Sequence, residues 1–432
     1  MYWEEDIETM PREKLEALQF ERLKKSVAKA SASVFYGDRF KKIGLNADEI
    51  RSLEDIRKIP FTTKDDLRDH WPYGFLAVPK DDLVRMHSSS GTTGRATVIF
   101  HTLDDINEWT NIVARSMYMT GMRRSDVFQN MMTYALFTGG LGFHYGAEKL
   151  GALVIPIGAG NSKRQIQLMQ DFQTTVMHVI PSYALHLSAV FEEVGVDPRR
   201  DTQLAIAFLG AEPHSEKTRE KIEEFYGLKA YNSYGLSEMD GPGVAFECPY
   251  QNGMHVWEDN FILEVIDPDT LEPVADGEEG ELVMTTLLRE GMPILRYRTK
   301  DLTRIIPGPC ECGRVHRRIE RIKGRTDDML ILKGVNIFPI QIEKRLMDIP
   351  GVGTNFLIIL ERQGFNDLMI VKVEVGKEFF SGDLQQLEGL RRRIVEDLKS
   401  DILITPKVEL VEPGTLPKSE GKAVRVIDNR EE

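Results

Sequence analysis

Val176-Met177-His178-Val179-Ile180-Pro181 decides the fold of this chain. It is a short apolar run stopped by a proline, and similar runs recur between helical stretches. Before it, Ala152–Ile157 is apolar and bounded by Gly and Pro, and Arg164–Phe172 has a helical pattern. After it, Tyr183–Val194 reads as helix, Leu204–Leu209 as a third buried strand ended by Gly210, and Ser215–Tyr226 as helix again. Strands alternating with helices predict an α/β fold with parallel pairing through right-handed crossovers. Ligands in such sheets sit beyond the carboxyl ends of the strands. That points to Pro181-Ser182, Gly210-Ala211-Glu212-Pro213 and Ser233–Glu238.

Outward from this core the pattern changes. Residues 1–86 read as helices and loops, with Leu15, Leu18, Phe20 and Leu23 on one stripe and Thr63 capping a helix after Pro60. Phe261–Ile266, Glu281–Thr286 and Asp301–Ile306 read as strands between Gly, Pro and Asp turns, which predicts an antiparallel or barrel-like region. The C-terminal part reads as a small α+β unit. Helix Ile340–Met347, strand Asn355–Leu360, a turn at 363–366, strand Leu368–Val375, helix Leu384–Lys399 and strand Lys407–Val411 follow in order. A large domain over 1–325 and a small mobile one over 326–432 are expected.

The bulk properties narrow the function. A chain of 432 residues is too long for one ordinary core. Its formal net charge of −13 argues against a nucleic-acid partner, which would need a basic face. Met1 to Met10 is acidic and lacks the apolar core of a secretory signal. No apolar run is long enough to span a bilayer. The 3 cysteines do not make a disulfide framework, so a cytoplasmic protein is expected.

Five segments carry chemistry. Ser88-Ser89-Ser90-Gly91-Thr92-Thr93-Gly94-Arg95 offers small residues whose backbone N–H groups can face phosphate, with hydroxyl donors and one guanidinium. It is not a Walker A loop. Such composition also serves as a linker, but the ordered glycines and hydroxyls before the β-rich run Thr97–Phe100 favour phosphate. Tyr231–Glu238 supplies an aromatic ring for a base and a carboxylate, Glu238, for Mg²⁺. Tyr297-Arg298-Thr299-Lys300-Asp301 offers an acidic group for ribose hydroxyls. Gly324-Arg325-Thr326-Asp327-Asp328 and Leu416–Lys422 complete the set. Standing alone, Tyr231–Glu238 and Tyr297–Asp301 each read more readily as a surface loop or turn.

In this order and spacing the five segments resemble the adenylate-forming superfamily of acyl-CoA synthetases, adenylation domains and luciferases. The resemblance spans essentially the whole chain. Within that superfamily Gly210–Pro213, Phe137–Gly142, Tyr234–Glu238 and Asp327–Pro339 look like the phenylacetate–CoA ligase family. One departure is Ala96, where the family usually has proline, and this loosens the exit of the phosphate loop.

The resemblance implies an ATP-dependent acid–CoA ligase that forms an acyl-adenylate and then a thioester, releasing AMP and pyrophosphate. It implies that Ser88–Gly94 hold the β- and γ-phosphates beside Arg95. Glu238 then holds Mg²⁺ with Thr93. Gly210, Ala211, Glu212, Pro213, Asn232, Ser233 and Tyr234 frame the adenine and α-phosphate. Asp301 holds the ribose with help from Arg325, Asp327 is the hinge, and Lys422, with Lys418 as its competitor, meets the α-phosphate and the carboxylate. Phenylacetate or a related aryl acid follows from the resemblance. So do the partners expected, a small acid, ATP and CoA; net charge and the lack of a long apolar run argue against nucleic acid and membrane, and homodimer formation is left open. Tyr134, Phe137 and glycines 139, 140 and 142, which precede a helix in this reading, suit a flat aryl group and equally suit an ordinary core. An acyl-adenylate former with another acceptor, and a non-catalytic nucleotide sensor, stay open as alternatives.

The cysteines form a separate pattern. Cys248 is followed by His255, and Cys310 and Cys312 flank Glu311. Three thiolates and one imidazole can complete a tetrahedral structural Zn²⁺ site, although Cys-x-Cys is tighter than the usual spacing and three unrelated thiols would look the same.

Overall fold

The computed structural model describes residues 1–89, 96–332, 335–363, 366–376, 384–417 and 424–430. Ser90, Gly91, Thr92, Thr93, Gly94, Arg95, Lys418 and Lys422 lie outside the described residues. The chain forms two compact units. One comprises Met1–Gly158, Thr175–His178 and Tyr231–Arg321, the other Ala159–Thr174, Val179–Ala230 and Ile322–Glu432.

In the first unit, strand Val127–Asn130 pairs in parallel with both Leu153–Ile155 and Val176–Val179. Helix Leu103–Met119 starts where Thr102 and Asp105 form a capping box, satisfying backbone donors that a helix start leaves orphaned. It packs on helix Thr138–Leu150 over a core that includes Trp109, Phe128 and Phe143. An antiparallel ribbon runs from Lys229–Leu236 through Gly241–Glu247, Met254–Val256 and Arg318–Ile319 to Ile305–Ile306. Phe261–Ile266 and Gly280–Thr286 pair antiparallel as expected, but their third partner is Tyr297–Thr303 rather than Asp301–Ile306, because Ile305–Ile306 pairs instead with Arg318–Ile319.

Two expectations are corrected here. Residues 83–88 form strand Leu83–Ser88 rather than loop or helix, because they pair antiparallel with Val98–Thr102. Gly139, Gly140 and Gly142 lie inside helix Thr138–Leu150 rather than before it. A weak helix former is retained there because the helix packs too closely for side chains: a Cβ on Gly142 would sit 2.5 Å from the Trp109 ring and 2.6 Å from Pro242.

In the second unit, strand Ile206–Leu209 runs between helices Pro181–Val194 and Glu216–Tyr226. Its C-terminal part is the expected α+β unit. Hairpin strands Val352–Gln363 and Asn366–Val375 are flanked in parallel by Val426–Asp428 and Lys407–Val411. Helices Pro339–Asp348 and Leu384–Ile402 bury Ile342, Leu346, Ile394 and Leu398 with Phe356, Ile358, Val371 and Val373 of the sheet. Each large apolar side chain so buried contributes about 2 kcal/mol. Among the described residues no helix is long and apolar enough to cross a membrane.

Candidate active site

The first unit gathers several of the expected residues. Strands Leu83–Ser88 and Val98–Thr102 flank the candidate phosphate segment, with Ser88 opposite Val98. The base of that hairpin is tied shut. Ser89 N–H donates to the Thr97 carbonyl at 3.1 Å, and Thr97 N–H donates back to Ser89 Oγ at 3.1 Å. Ser88 N–H donates to the Leu136 carbonyl at 2.9 Å.

Glu238 lies in the one-turn helix Ser237–Met239 at the end of its strand and is buried. Its carboxylate accepts from Thr97 Oγ1 at 3.2 Å. The structure thus brings the strongest candidate for a cation-holding carboxylate against the base of the hairpin that carries the candidate phosphate segment. Asn232 and Ser233 are buried on the preceding strand, where Asn232 N–H donates to Glu247 at 2.7 Å. That strand bends closely over the next one, since a Cβ on Gly235 would fall 1.9 Å from the Gly241 carbonyl oxygen.

Asp301 sits on strand Tyr297–Thr303, where Lys300 adopts a φ of 67° beside a register shift. Such an irregularity re-aims the following side chain. Asp301 is buried, and its Oδ2 accepts from the Tyr234 hydroxyl at 2.6 Å.

Tyr134 is half-buried and Phe137 exposed, while Gly139 is buried. Tyr134 belongs to a polar chain that the sequence did not announce. Its oxygen accepts from Asn130 Nδ2 at 2.9 Å and lies 3.2 Å from His144 Nδ1, and His144 Nε2 lies 3.0 Å from Glu148. Asn130 Oδ1 is 3.0 Å from His178 Nδ1, and the His178 ring stacks on Phe143 with centroids 3.7 Å apart. Burial pushes the Tyr134 phenol up to about 12 and holds the His178 imidazole down to about 3. His178 was legible only as a polar residue in an otherwise apolar strand, and nothing in the sequence singled out Asn130.

The second unit holds the remaining candidates. Gly210, Ala211, Glu212 and Pro213 follow strand Ile206–Leu209. Ala211 adopts a φ of 68°, a conformation L residues rarely take and one that concentrates at functional sites. Glu212 accepts from the Ser182 N–H at the start of helix Pro181–Val194, where a carboxylate also meets the positive end of the helix dipole. Arg325 makes a bidentate pair with Asp327 at 2.8 and 2.9 Å, so in this arrangement the two candidates engage each other.

The four metal candidates converge. Pairing of Gly241–Glu247 with Met254–Val256 sets Phe246 opposite His255 and leaves Cys248 just past the strand end. Arg318 also lies opposite His255, which carries the 310–312 loop to the same edge. The donor atoms of Cys248, His255, Cys310 and Cys312 all lie within 4.8 Å of one another. Cys248 Sγ and Cys310 Sγ are 3.7 Å apart, and Cys312 Sγ is 3.2 Å from His255 Nε2. A tetrahedral Zn²⁺ with Zn–S bonds of ~2.3 Å sets its sulfurs ~3.8 Å apart, so the donor set fits that ion. His255 Nδ1 faces the His316 carbonyl at 2.9 Å, which fixes the proton there and leaves Nε2 free to ligate. Hydrogen bonding from Cys248 pulls the Cys312 thiol down, and the same bond pushes Cys248 up.

Comparisons with known proteins identify the family. The AMP-binding enzyme family model matches residues 17–287, and the AMP-binding enzyme C-terminal domain matches residues 334–430. A phenylacetate-coenzyme A ligase of Thermus thermophilus is 46% identical over 100% of both chains. One from Escherichia coli is 43% identical over 98% of this chain and 97% of its own. A crystal structure of 2-hydroxyisobutyryl-CoA ligase in complex with 2-HIB-AMP superposes with a TM-score of 0.94 at 31% identity, over 100% of this chain and 93% of that one. With both family models matched in order and full-length relatives at this identity, the chain belongs to the phenylacetate-coenzyme A ligase family of AMP-binding enzymes.

Proposed function

We propose that this chain activates phenylacetate or a closely related aryl acid with ATP and transfers the acyl group to coenzyme A. A carboxylate oxygen of the acid attacks the α-phosphorus of ATP. The bond to the β-phosphate oxygen breaks, and pyrophosphate leaves. The thiol of CoA then attacks the acyl carbonyl, loses its proton, and displaces AMP. A carboxylate is a weak nucleophile approaching an anion, so the first step depends on charge placed at the phosphates.

Ser88–Arg95 cradle the β- and γ-phosphates in this reading, and Lys422 meets the α-phosphate and the carboxylate. Glu238 holds Mg²⁺, which neutralises phosphate charge when bound. Asp301 holds the ribose hydroxyls, oriented by Tyr234. Gly210–Pro213 and Asn232–Tyr234 frame the adenine and α-phosphate, and Tyr134, Phe137 and Gly139 border the acid. Lys422 belongs to a small domain over 326–432, which turns about Asp327 against 1–325 between the two steps. Zn²⁺ bound by Cys248, His255, Cys310 and Cys312 completes the cofactors as a structural ion.

The observation that carries the reading is the buried Glu238 carboxylate at the base of the phosphate hairpin, in a chain whose full-length relatives are phenylacetate-coenzyme A ligases. Phenylacetate-dependent exchange of labelled pyrophosphate into ATP tests it. Exchange in the native protein, lost in Lys422→Ala and Glu238→Gln, supports the reading. Exchange that ignores every carboxylic acid offered counts against it.

A further inference from the structure

We infer that Thr97 and Arg289 are positioning residues for Glu238, Thr97 acting on its carboxylate and Arg289 on its main chain. The inference rests on Glu238 being the cation-holding carboxylate. A metal ligand works only if its oxygen is held where the ion and phosphate meet. Glu238 occupies a three-residue helix, too short to hold itself, so neighbouring groups must fix it.

They do so from two sides. Arg289 Nη1 donates to the Glu238 carbonyl oxygen at 2.6 Å, with both residues buried. The Arg289 charge is balanced by Asp240, whose Oδ1 lies 3.1 Å from Arg289 Nε as an ion pair without hydrogen-bond alignment. Asp240 follows the short helix with a φ of 72°, and this backbone turn carries its carboxylate back beside the guanidinium. His101 stacks on Trp109 and lies 3.5 Å from Asp240, sealing the cluster. A planar guanidinium can serve a carbonyl and a carboxylate at once, which an ammonium cannot do with the same geometry.

Thr97 acts from the other side. Its backbone closes the base of the phosphate hairpin on Ser89, and its hydroxyl meets Glu238. One residue therefore joins the strand leaving the phosphate loop to the carboxylate expected to hold the cation. Any shift of the loop base is passed to Glu238 through a single hydroxyl.

Mn²⁺, used as a paramagnetic probe for Mg²⁺, reads this without any assumption about the acid. Binding of Mn²⁺ in the presence of ATP is followed by electron paramagnetic resonance, with the thermal unfolding midpoint measured alongside. Thr97→Val keeps the shape and removes the hydroxyl, and it should weaken Mn²⁺ binding roughly tenfold, as expected for loss of a hydrogen bond to a charged group. Thr97→Ser should restore it. The double variant Arg289→Met/Asp240→Asn removes both charges together, and it should fold while binding Mn²⁺ several-fold more weakly. Wild-type Mn²⁺ affinity in both Thr97→Val and the folded double variant overturns the positioning role, as does failure of Thr97→Ser to restore binding. Glu238→Gln separates the two readings. If it binds Mn²⁺ normally, the assignment of Glu238 itself falls. If it binds weakly while neither Thr97→Val nor the folded double variant does, only the positioning role falls.

Discussion

The Tyr234 hydroxyl donates to Asp301 Oδ2 at 2.6 Å, and both side chains are buried. A short hydrogen bond between a phenol and a carboxylate fixes the orientation of the Asp301 side chain. Tyr234→Phe removes that constraint at nearly constant volume. It should raise the KM for ATP about tenfold and change the KM for the acid little, because a hydrogen bond to a charged group contributes ~1.5–3 kcal/mol. Asp301→Ala should raise the KM for ATP further. Steady-state kinetics with each substrate varied in turn checks this, and equal effects on both substrates would contradict it.

Metal content tests the cysteine cluster. The purified protein should carry one Zn²⁺ per chain by elemental analysis, and the double variant Cys310→Ser/Cys312→Ser should carry none. Structural zinc contributes directly to folding, so the unfolding midpoint of that variant should fall by at least ~5 °C. A metal-free native protein of unchanged midpoint would dismiss the site.

His178 gives a pH dependence with a definite sign. Its imidazole is fully buried and held at about 3, against an ordinary value of 6.5. The unfolded chain therefore takes up a proton below 6.5 that the folded chain refuses. This contribution is intact above pH 6.5 and erodes as pH falls from there towards 3, by up to ~1.4 kcal/mol per pH unit. His178→Gln should flatten the slope of denaturant stability between pH 6.5 and 5. Parallel slopes in the two proteins would mean that His178 does not titrate in this way.

The packing of helix Thr138–Leu150 makes a structural prediction. Gly142→Ala would place a methyl group 2.5 Å from the Trp109 ring. Overpacking of this kind costs about 1–3 kcal/mol, and chemical denaturation should show it as a lower midpoint with an unchanged slope. A midpoint equal to the native one would mean that Trp109 can move aside.

Local pattern carried much of this fold into the sequence. Strands Phe261–Ile266 and Lys407–Val411 occur where the sequence reading places them, and Thr63 caps helix Lys64–Asp69 as its hydroxyl predicts. Contacts distant in sequence were less legible. Strand Leu83–Ser88 is defined by its partner Val98–Thr102, and nothing local marks it. Gly142 of helix Thr138–Leu150 reads as lying before the helix because the reason for it, the Trp109 ring, lies on another helix. Residue types named the cysteine site, but only strand register shows that His255 and the 310–312 loop share an edge. Arg289 and Asp240 belong to no motif, and their role comes from the Glu238 carbonyl they surround.

The central claim is that this chain makes an acyl-CoA thioester from an aryl acid through an adenylate. The most direct measurement is mass spectrometry of the products after incubation with Mg-ATP, CoA and phenylacetate. The account predicts phenylacetyl-CoA and AMP in equal amounts, with AMP release dependent on CoA. ADP in place of AMP, or AMP release indifferent to CoA, would contradict it.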